Sequence, residues 1–396
     1  MILKNTLYYI FIFSIFLLLC KGAYAYFTWF VDFLPGILQL CLYVVFAGIA
    51  FLYKQVFNIH IIWGKKLILT YILFILASVF PQFNIGLLSL AIVKFYPLAV
   101  LLSDRYNYEK NLRIITILMA LLLLSGLVFW GLSFGISAKG PIIVYPDLRD
   151  GYTFYNNIVS ITSVIEDRRF AFNRFESVFL EPGFLGTLLS FLIYANRFDF
   201  KRWENFICLC GLMASFSLAG YLTTAVGYFC FYTSSGKIIR NLFISTSLFC
   251  VIYLIGTTYD NGDNIINETF FSRLQYDEEK GIVGNNRYNY DIDNAFNLAV
   301  YNGTIITGDP SQSELGNAGN GLKMYILTHG IVGALLFLLF YLKVVGFIHN
   351  KRYGYGFVCI VFITFMQASY PNSYSWLIPF FLGIGYQKHL EQSSVI

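Results

Sequence analysis

Apolar runs of about 15 to 23 residues recur along this chain, and they constrain the fold more than any other feature. They lie at about 6–20, 33–53, 67–83, 85–103, 113–135, 182–196, 203–217, 220–236, 238–257, 321–342, 354–369 and 375–387. A helix needs close to 20 predominantly apolar residues to cross the hydrocarbon of a bilayer. In that medium each backbone polar group must be satisfied within its own segment. The pattern therefore predicts an all-α, polytopic membrane protein with about 12 transmembrane helices. Charged residues make up only 12% of the 396 and the mean hydropathy is +0.64, whereas soluble domains carry about 25% charged residues. The net charge of +5 then speaks to orientation rather than to a nucleic-acid partner.

Lysine and arginine placement sets that orientation. Lys4, the Lys54–Lys66 stretch, Arg105 to Arg113, Arg197 to Arg202, Lys237 and Arg240, Lys343 to Arg352 and Lys388 fall at the N-terminus, in alternate connections and in the tail. The short connections between them, Pro81–Asn84, Ser217–Gly220 and Tyr370–Ser375, carry no charge. Both termini are thereby expected in the cytoplasm. The first run could be a cleaved signal, with Lys4, a short apolar core and Ala23-Tyr-Ala25, but a retained span is preferred. The seventh and eighth runs are short enough to form a re-entrant pair.

The chain divides into five blocks: a first membrane block at 1–135 with five spans, a first long outer loop at 136–181, a second membrane block at 182–257 with four spans, a second long loop at 258–320, and a C-terminal block at 321–396 with three spans. The second loop is acidic and rich in Asn, Tyr and Gly. Within the loops, Ile158–Ile165 and Ala295–Val300 are apolar enough to predict partial helix. All seven cysteines lie in apolar runs, which supports neither a disulfide framework nor a cysteine metal site.

Several residues are placed where chemistry is possible. Lys94 lies mid-span, where an ammonium costs about 2.5–3.5 kcal/mol and normally faces a bundle interior or a wet cavity. Pro97, three residues on, frees carbonyls that could bond it; a purely structural lysine is the alternative. At the mouth of the sixth span, Pro182 suits a first helical turn and Glu181 occupies the cap region. The dipole and first-turn N–H groups there favour an anion. Arg168, Arg169 and Arg174 add cationic charge, and arginine binds phosphate bidentately. Glu181 is then a general base, a group that orients an arginine, or only a helix cap. Gly316-Asn-Ala-Gly319-Asn320-Gly321-Leu-Lys323 opens the tenth span in a similar way, with His329 about two turns further on. Asp291-Ile-Asp293 has metal-motif spacing, but no glycine follows as a calcium loop requires, and it is read as a loop feature.

Three motifs occur together in order: Arg174…Ser177-Val-Phe-Leu-Glu181-Pro-Gly-Phe-Leu-Gly186, then Phe216-Ser-Leu-Ala-Gly-Tyr-Leu-Thr223, then Asn320-Gly-Leu-Lys-Met-Tyr-Ile-Leu-Thr-His-Gly330-Ile-Val-Gly333. With two long outer loops, this resembles the O-antigen polymerase (Wzy-type) and O-antigen ligase superfamily over essentially the whole chain. The resemblance implies a GT-C-like glycosyltransferase of the bacterial inner membrane, acting at its periplasmic face. Ligases of that group carry a His-Asn pair where this chain has Gly319-Asn320, which favours a polymerase.

The implied substrates are undecaprenyl-diphosphate-linked oligosaccharides as donor and acceptor. A chain-length regulator is an implied partner, and neither cofactor nor metal is expected. On this reading Arg174, Arg287 and Lys94 take the diphosphate, supported by Arg168, Arg169, Asn320 and Lys323. Glu181 activates or orients the acceptor, and His329 is a further catalytic candidate. The rival readings are an O-antigen ligase acting on lipid A-core and a polysaccharide flippase or transporter.

Overall fold

The computed structural model describes residues 2–31, 34–61, 64–133, 142–143, 152–156, 161–165, 174–232, 238–264, 267, 271, 276–277, 281–282, 290–315, 321–367 and 372–393. Each of the twelve apolar runs forms a helix: α1 (Ile2–Gly22), α2 (Gly36–Val56), α3 (Lys65–Val79), α4 (Ile85–Ser103), α5 (Tyr108–Ser133), α6 (Pro182–Ala195), α7 (Trp203–Ala214), α8 (Leu218–Tyr232), α9 (Ile238–Thr258), α11 (Gly321–Val345), α12 (Lys351–Gln367) and α13 (Tyr374–Ser393). A further helix, α10 (Tyr290–Asn302), lies in the second long loop and contains the Ala295–Val300 stretch expected to be helical. Among the described residues, α1, α2, α4, α5 and α11 are long and apolar enough to cross a membrane. The architecture is that of a helical membrane protein.

The first long loop departs from expectation. It carries a three-stranded antiparallel sheet of β1 (Ile142–Ile143), β2 (Tyr152–Asn156) and β3 (Ile161–Ile165). Ile161 to Ile165, expected to be partly helical, instead pairs across Tyr152 to Asn156. The physical reason is visible in the residues: four of the five in Ile-Thr-Ser-Val-Ile are β-branched, and Tyr-Thr-Phe-Tyr-Asn carries three aromatics and a threonine, the residue types that favour strands. A short hairpin of β4 (Tyr276–Asp277) and β5 (Gly281–Ile282) lies in the second loop.

One contiguous apolar core runs through all three membrane blocks, from Tyr8 to Ile384. Its centre is α6, in which every residue from Leu185 to Ala195 is buried. A helix that is apolar all round belongs inside a bundle. It packs on α8, α7 and α13, with the Phe191 and Trp376 rings 5.3 Å apart. The α6–α8 crossing is close because Gly186 and Gly220 lie where they meet. A Cβ on Gly220 would run into the Gly186 backbone, and one on Gly186 into Ser217. Ser190 and Thr223 hydrogen-bond across the same interface at 2.8 Å. With 14 and 12 residues, α6 and α7 span only about 21 and 18 Å at 1.5 Å per residue.

At the end carrying the basic connections, Asp104 is buried within a polar network. It accepts from Tyr53 Oη at 2.7 Å, Asn111 Nδ2 at 2.9 Å and Asn107 Nδ2 at 3.0 Å. Asn111 in turn accepts from Tyr8 at 2.9 Å, so α1, α2, α4 and α5 are tied together there.

Candidate functional site at the mouth of helix α6

The first turn of α6 organises the site. Pro182 occupies its first position and Glu181 precedes it in extended conformation (φ −142°, ψ 142°). The Glu181 side chain makes no capping hydrogen bond, so helix capping does not account for this residue. Its Oε2 instead lies over the first turn, 3.8 Å from where a Cβ on Gly183 would sit.

The segment leading into this turn is clamped on two sides. Toward α1, Tyr26 N–H donates to Val178 O at 2.9 Å and Leu180 N–H to Tyr24 O at 3.3 Å, a strand-like pairing around Ala25 and Phe179. Toward α7, Phe175 N–H donates to Ala214 O at 3.1 Å, and Arg174 Nε donates to Ser215 O at 3.0 Å. The Arg174 guanidinium is within electrostatic reach of Tyr221 on α8. Arg174 is thereby aimed across the α7–α8 corner, beside the same α6 turn that carries Glu181.

Lys94, on α4, lies by α2 and α13. Its ammonium lies 5.2 Å from the centre of the Tyr43 ring, not on the carbonyls before Pro97. A cation over an aromatic face is worth about 0.5–2 kcal/mol. Its own carbonyl accepts from Tyr374 Oη at 2.9 Å, and the Tyr43 and Tyr374 rings are 6.1 Å apart. Lys94 has no carboxylate partner among the described residues.

Its charged neighbour is another cation, Lys21, at the end of α1. Lys21 reaches over the Tyr24 ring at 5.5 Å, and Tyr24 packs on Phe184 of the α6 turn at 5.2 Å. Lys21 therefore lies beside the turn that holds Glu181, with Lys94 within electrostatic reach of it. Sequence reasoning missed Lys21, although a signal was present. It is a lysine at the end of α1 away from the basic connections, an exception to the alternation.

His329 and Lys323 belong to a different place. Lys323 forms an ion pair with Asp293 of α10 and lies 5.7 Å from the Phe296 ring centre. Asp293, read from sequence as a loop feature, is what holds it. His329 stacks on Tyr325 at 4.2 Å and 1°, and its Nδ1 shares a 2.6 Å hydrogen bond with Thr328 Oγ1. None of these contacts reaches α6.

Between them and the lower part of α11 the helix is broken at Gly330, which adopts φ 69°, ψ 172°. The break is filled by the chain that follows α10. Ile331 N–H donates to Ile305 O at 2.9 Å, Val332 N–H to Ile306 O at 3.2 Å, and Asp309 N–H to Leu327 O at 2.7 Å. Gly308 (φ 77°) faces Gly330 so closely that a Cβ on either would strike the other's backbone. The Asp309 carboxylate is held below the usual carboxylate range by hydrogen bonds from the Ser311 hydroxyl, Gln312 and the Ser311 N–H.

Arg168, Arg169, Arg287 and Asn320 lie outside the described residues. Among those described, no group of three or more His, Cys, Asp or Glu is placed to hold a metal ion. The site therefore offers Lys21, Arg174 and two carboxylates, Glu176 and Glu181, beside the N-terminal turn of a buried helix, with Lys94 within electrostatic reach of Lys21. Comparison with known protein families, with curated proteins and with solved structures returned no match.

Proposed function

We propose that the chain is a polysaccharide polymerase of the O-antigen type, a membrane glycosyltransferase that joins lipid-linked repeat units. It would cross the inner membrane about twelve times in a GT-C-like arrangement and work on the periplasmic side without a metal. The observation that carries this reading is Lys94, an intramembrane ammonium with no carboxylate partner among the described residues, within electrostatic reach of Lys21, which lies beside the α6 turn. An ammonium in a low-dielectric setting with a second cation near it favours an anionic ligand. A polyprenyl diphosphate offers such charge at the depth of a membrane edge.

In this reaction the hydroxyl oxygen of the acceptor repeat attacks the anomeric carbon of the donor sugar. A new C–O glycosidic bond forms while the bond from that carbon to the diphosphate oxygen breaks. The lipid diphosphate leaves with the electron pair, and Lys94, Lys21 and Arg174 stabilise its charge. The Glu181 carboxylate takes the hydroxyl proton. Alignment of two membrane-anchored substrates supplies the rest, because both already share the plane of the bilayer.

The test is elongation of purified polyprenyl-diphosphate-linked repeats by the protein in liposomes, without nucleotide or ion gradient. A ladder of products is expected from the native protein and a loss of most elongation from Arg174→Ala and Glu181→Gln. Full-length ladders from both variants would remove these residues from the mechanism. Transfer to lipid A-core with no ladder would make the protein a ligase, and absence of any transfer would return it to the transporter class.

A further inference from the structure

The second long loop carries an exposed apolar tip whose position relates it to the lipid-facing side of α11. Helix α10 is held against the upper part of α11 by the Asp293–Lys323 ion pair and by Ile292, which packs with Met324 and Leu327. Its two ends differ. The N-terminal half presents Asp291 and Asn294 to the outside, with one exposed aromatic, Tyr290, at its first position. The C-terminal end and the turn after it present Leu298, Val300, Tyr301 and Ile306, which are 61, 52, 89 and 56% exposed. Four large apolar or aromatic side chains left open within nine residues are more than the scattered exposure a water-facing loop normally shows.

The end that carries them is the one seated at the Gly330 break. Ile305 and Ile306 bond to Ile331 and Val332 there, which fixes the tip at the level of Ile331. From Ile331 downward the exposed large apolar residues of α11 are Leu335, Leu338 and Leu339. These lie four, seven and eight positions on, along one face of a helix long and apolar enough to cross a membrane. The exposed apolar surface of the tip is therefore continuous with the side of α11 that lipid would cover. Tyr301 sits at the edge, where tyrosine is favoured between acyl chains and headgroups.

We infer that the C-terminal end of α10, with the Ile305–Ile306 turn, is a membrane anchor that dips into the headgroup and acyl boundary of the leaflet on its own side. The occupant is lipid. The acidic N-terminal half of α10 stays in water, so the helix is tilted with its apolar end down, and the second loop is pinned at the membrane surface. Such anchoring by a short apolar surface next to a spanning helix needs no further partner. The inference does not depend on the glycosyltransferase reading.

The test uses the full chain in liposomes, with the exposed Cys41, Cys250 and Cys359 replaced by serine so that single new cysteines can be labelled. Leu298→Cys and Tyr301→Cys carry an environment-sensitive fluorophore, and Asp291→Cys, at the acidic end, serves as the reference. The labels at 298 and 301 are expected to emit blue-shifted light, to be quenched by lipids spin-labelled near the headgroup, and to resist aqueous iodide. The reference label is expected to show the reverse. Iodide quenching at 298 and 301 equal to that at 291, with no lipid quenching, overturns the inference. Shielding of the tip by added oligosaccharide rather than by lipid also overturns it, because the tip would then be a glycan surface. Circular dichroism of each labelled variant confirms that the helices are intact.

Discussion

Lys94 separates a stabilising residue from one held for another purpose. It is half-buried, contacts one aromatic ring and meets a second cation. At membrane depth its charge costs about 2.5–3.5 kcal/mol by insertion scales, more than one cation–π contact of about 0.5–2 kcal/mol returns. Lys94→Met keeps most of the side-chain volume and removes the charge. The variant is expected to melt at the same temperature as the native protein or higher, while its elongation of lipid-linked repeats falls. A drop in melting temperature with unchanged elongation would assign Lys94 a structural role. Asp104 gives the opposite expectation. It accepts from three side chains in a buried network, and Asp104→Ala strands those donors at about 1–3 kcal/mol for each one left unsatisfied. Thermal unfolding in detergent should show a destabilisation of about 2–4 kcal/mol, part of which Asp104→Asn restores. Lys94 was legible in the sequence because an ammonium inside an apolar run is conspicuous. Lys21 was less so: it breaks the alternation, but at a helix end a lysine also reads as an ordinary partner for the C-terminal dipole, and only the shared packing of α1 and α4 on α2 and α13 brings it near Lys94.

Among elements, α6 and α11 show how far periodicity and composition reach. The start of α6 was legible from Glu181-Pro182, since proline at the first turn has a local cause, and the helix begins there. Its central position was less visible: an apolar segment buried by protein and one facing lipid have the same composition. In α11, Gly333 is at ordinary contact distance from Phe80 at the end of α3, and Gly330 breaks the helix and admits the chain between Ile305 and Asp309. No local pattern announces such a break, because its cause is a segment more than twenty residues away. Gly330→Ala places a Cβ at a left-handed φ and against the Ile306 carbonyl, and strain of this kind costs of order 1–3 kcal/mol. The expected result is local. Amide exchange rises at Ile331, Val332 and Asp309, whose bonds seal the break, while the α6 amides stay protected. Uniform loss of protection across α6 and α11 would mean that the break is part of the global folding unit rather than a docking joint. The first loop differs for another reason: the reading of Ile158–Ile165 rests on apolarity, whereas its six β-branched residues carry the information.

At the scale of the whole molecule the first helix is the decisive element. A cleavable leader is dispensable to the folded protein, yet α1 buries Tyr8, Phe11, Ile12, Ile15, Leu18 and Leu19 in the common core. Phe11 stacks on Tyr53 at 4.2 Å, and Gly22 O accepts from Ser373 Oγ at 2.8 Å, which joins α1 to the entry of α13. Each large apolar side chain so buried contributes about 1.5–3 kcal/mol relative to exposure to water, and although lipid substitutes for part of that, the shape complementarity of the core has no substitute. The C-terminal end of α1 also supplies Lys21 and the Tyr24–Tyr26 pairing that clamps the segment before Glu181. The sequence left cleavage after Ala25 open, because Lys4, a short apolar core and small residues satisfy a signal peptide as well as they satisfy a span. Packing favours retention. Intact mass of the purified protein is expected to include residues 1–25, and a chain starting at Tyr26 is expected to lose both its cooperative melting transition and protection of Phe179 and Leu180. Should the shortened chain melt cooperatively at the native temperature with Glu181 still fixed, α1 would be a passenger, and the two-lysine site would lose half of its charge without consequence.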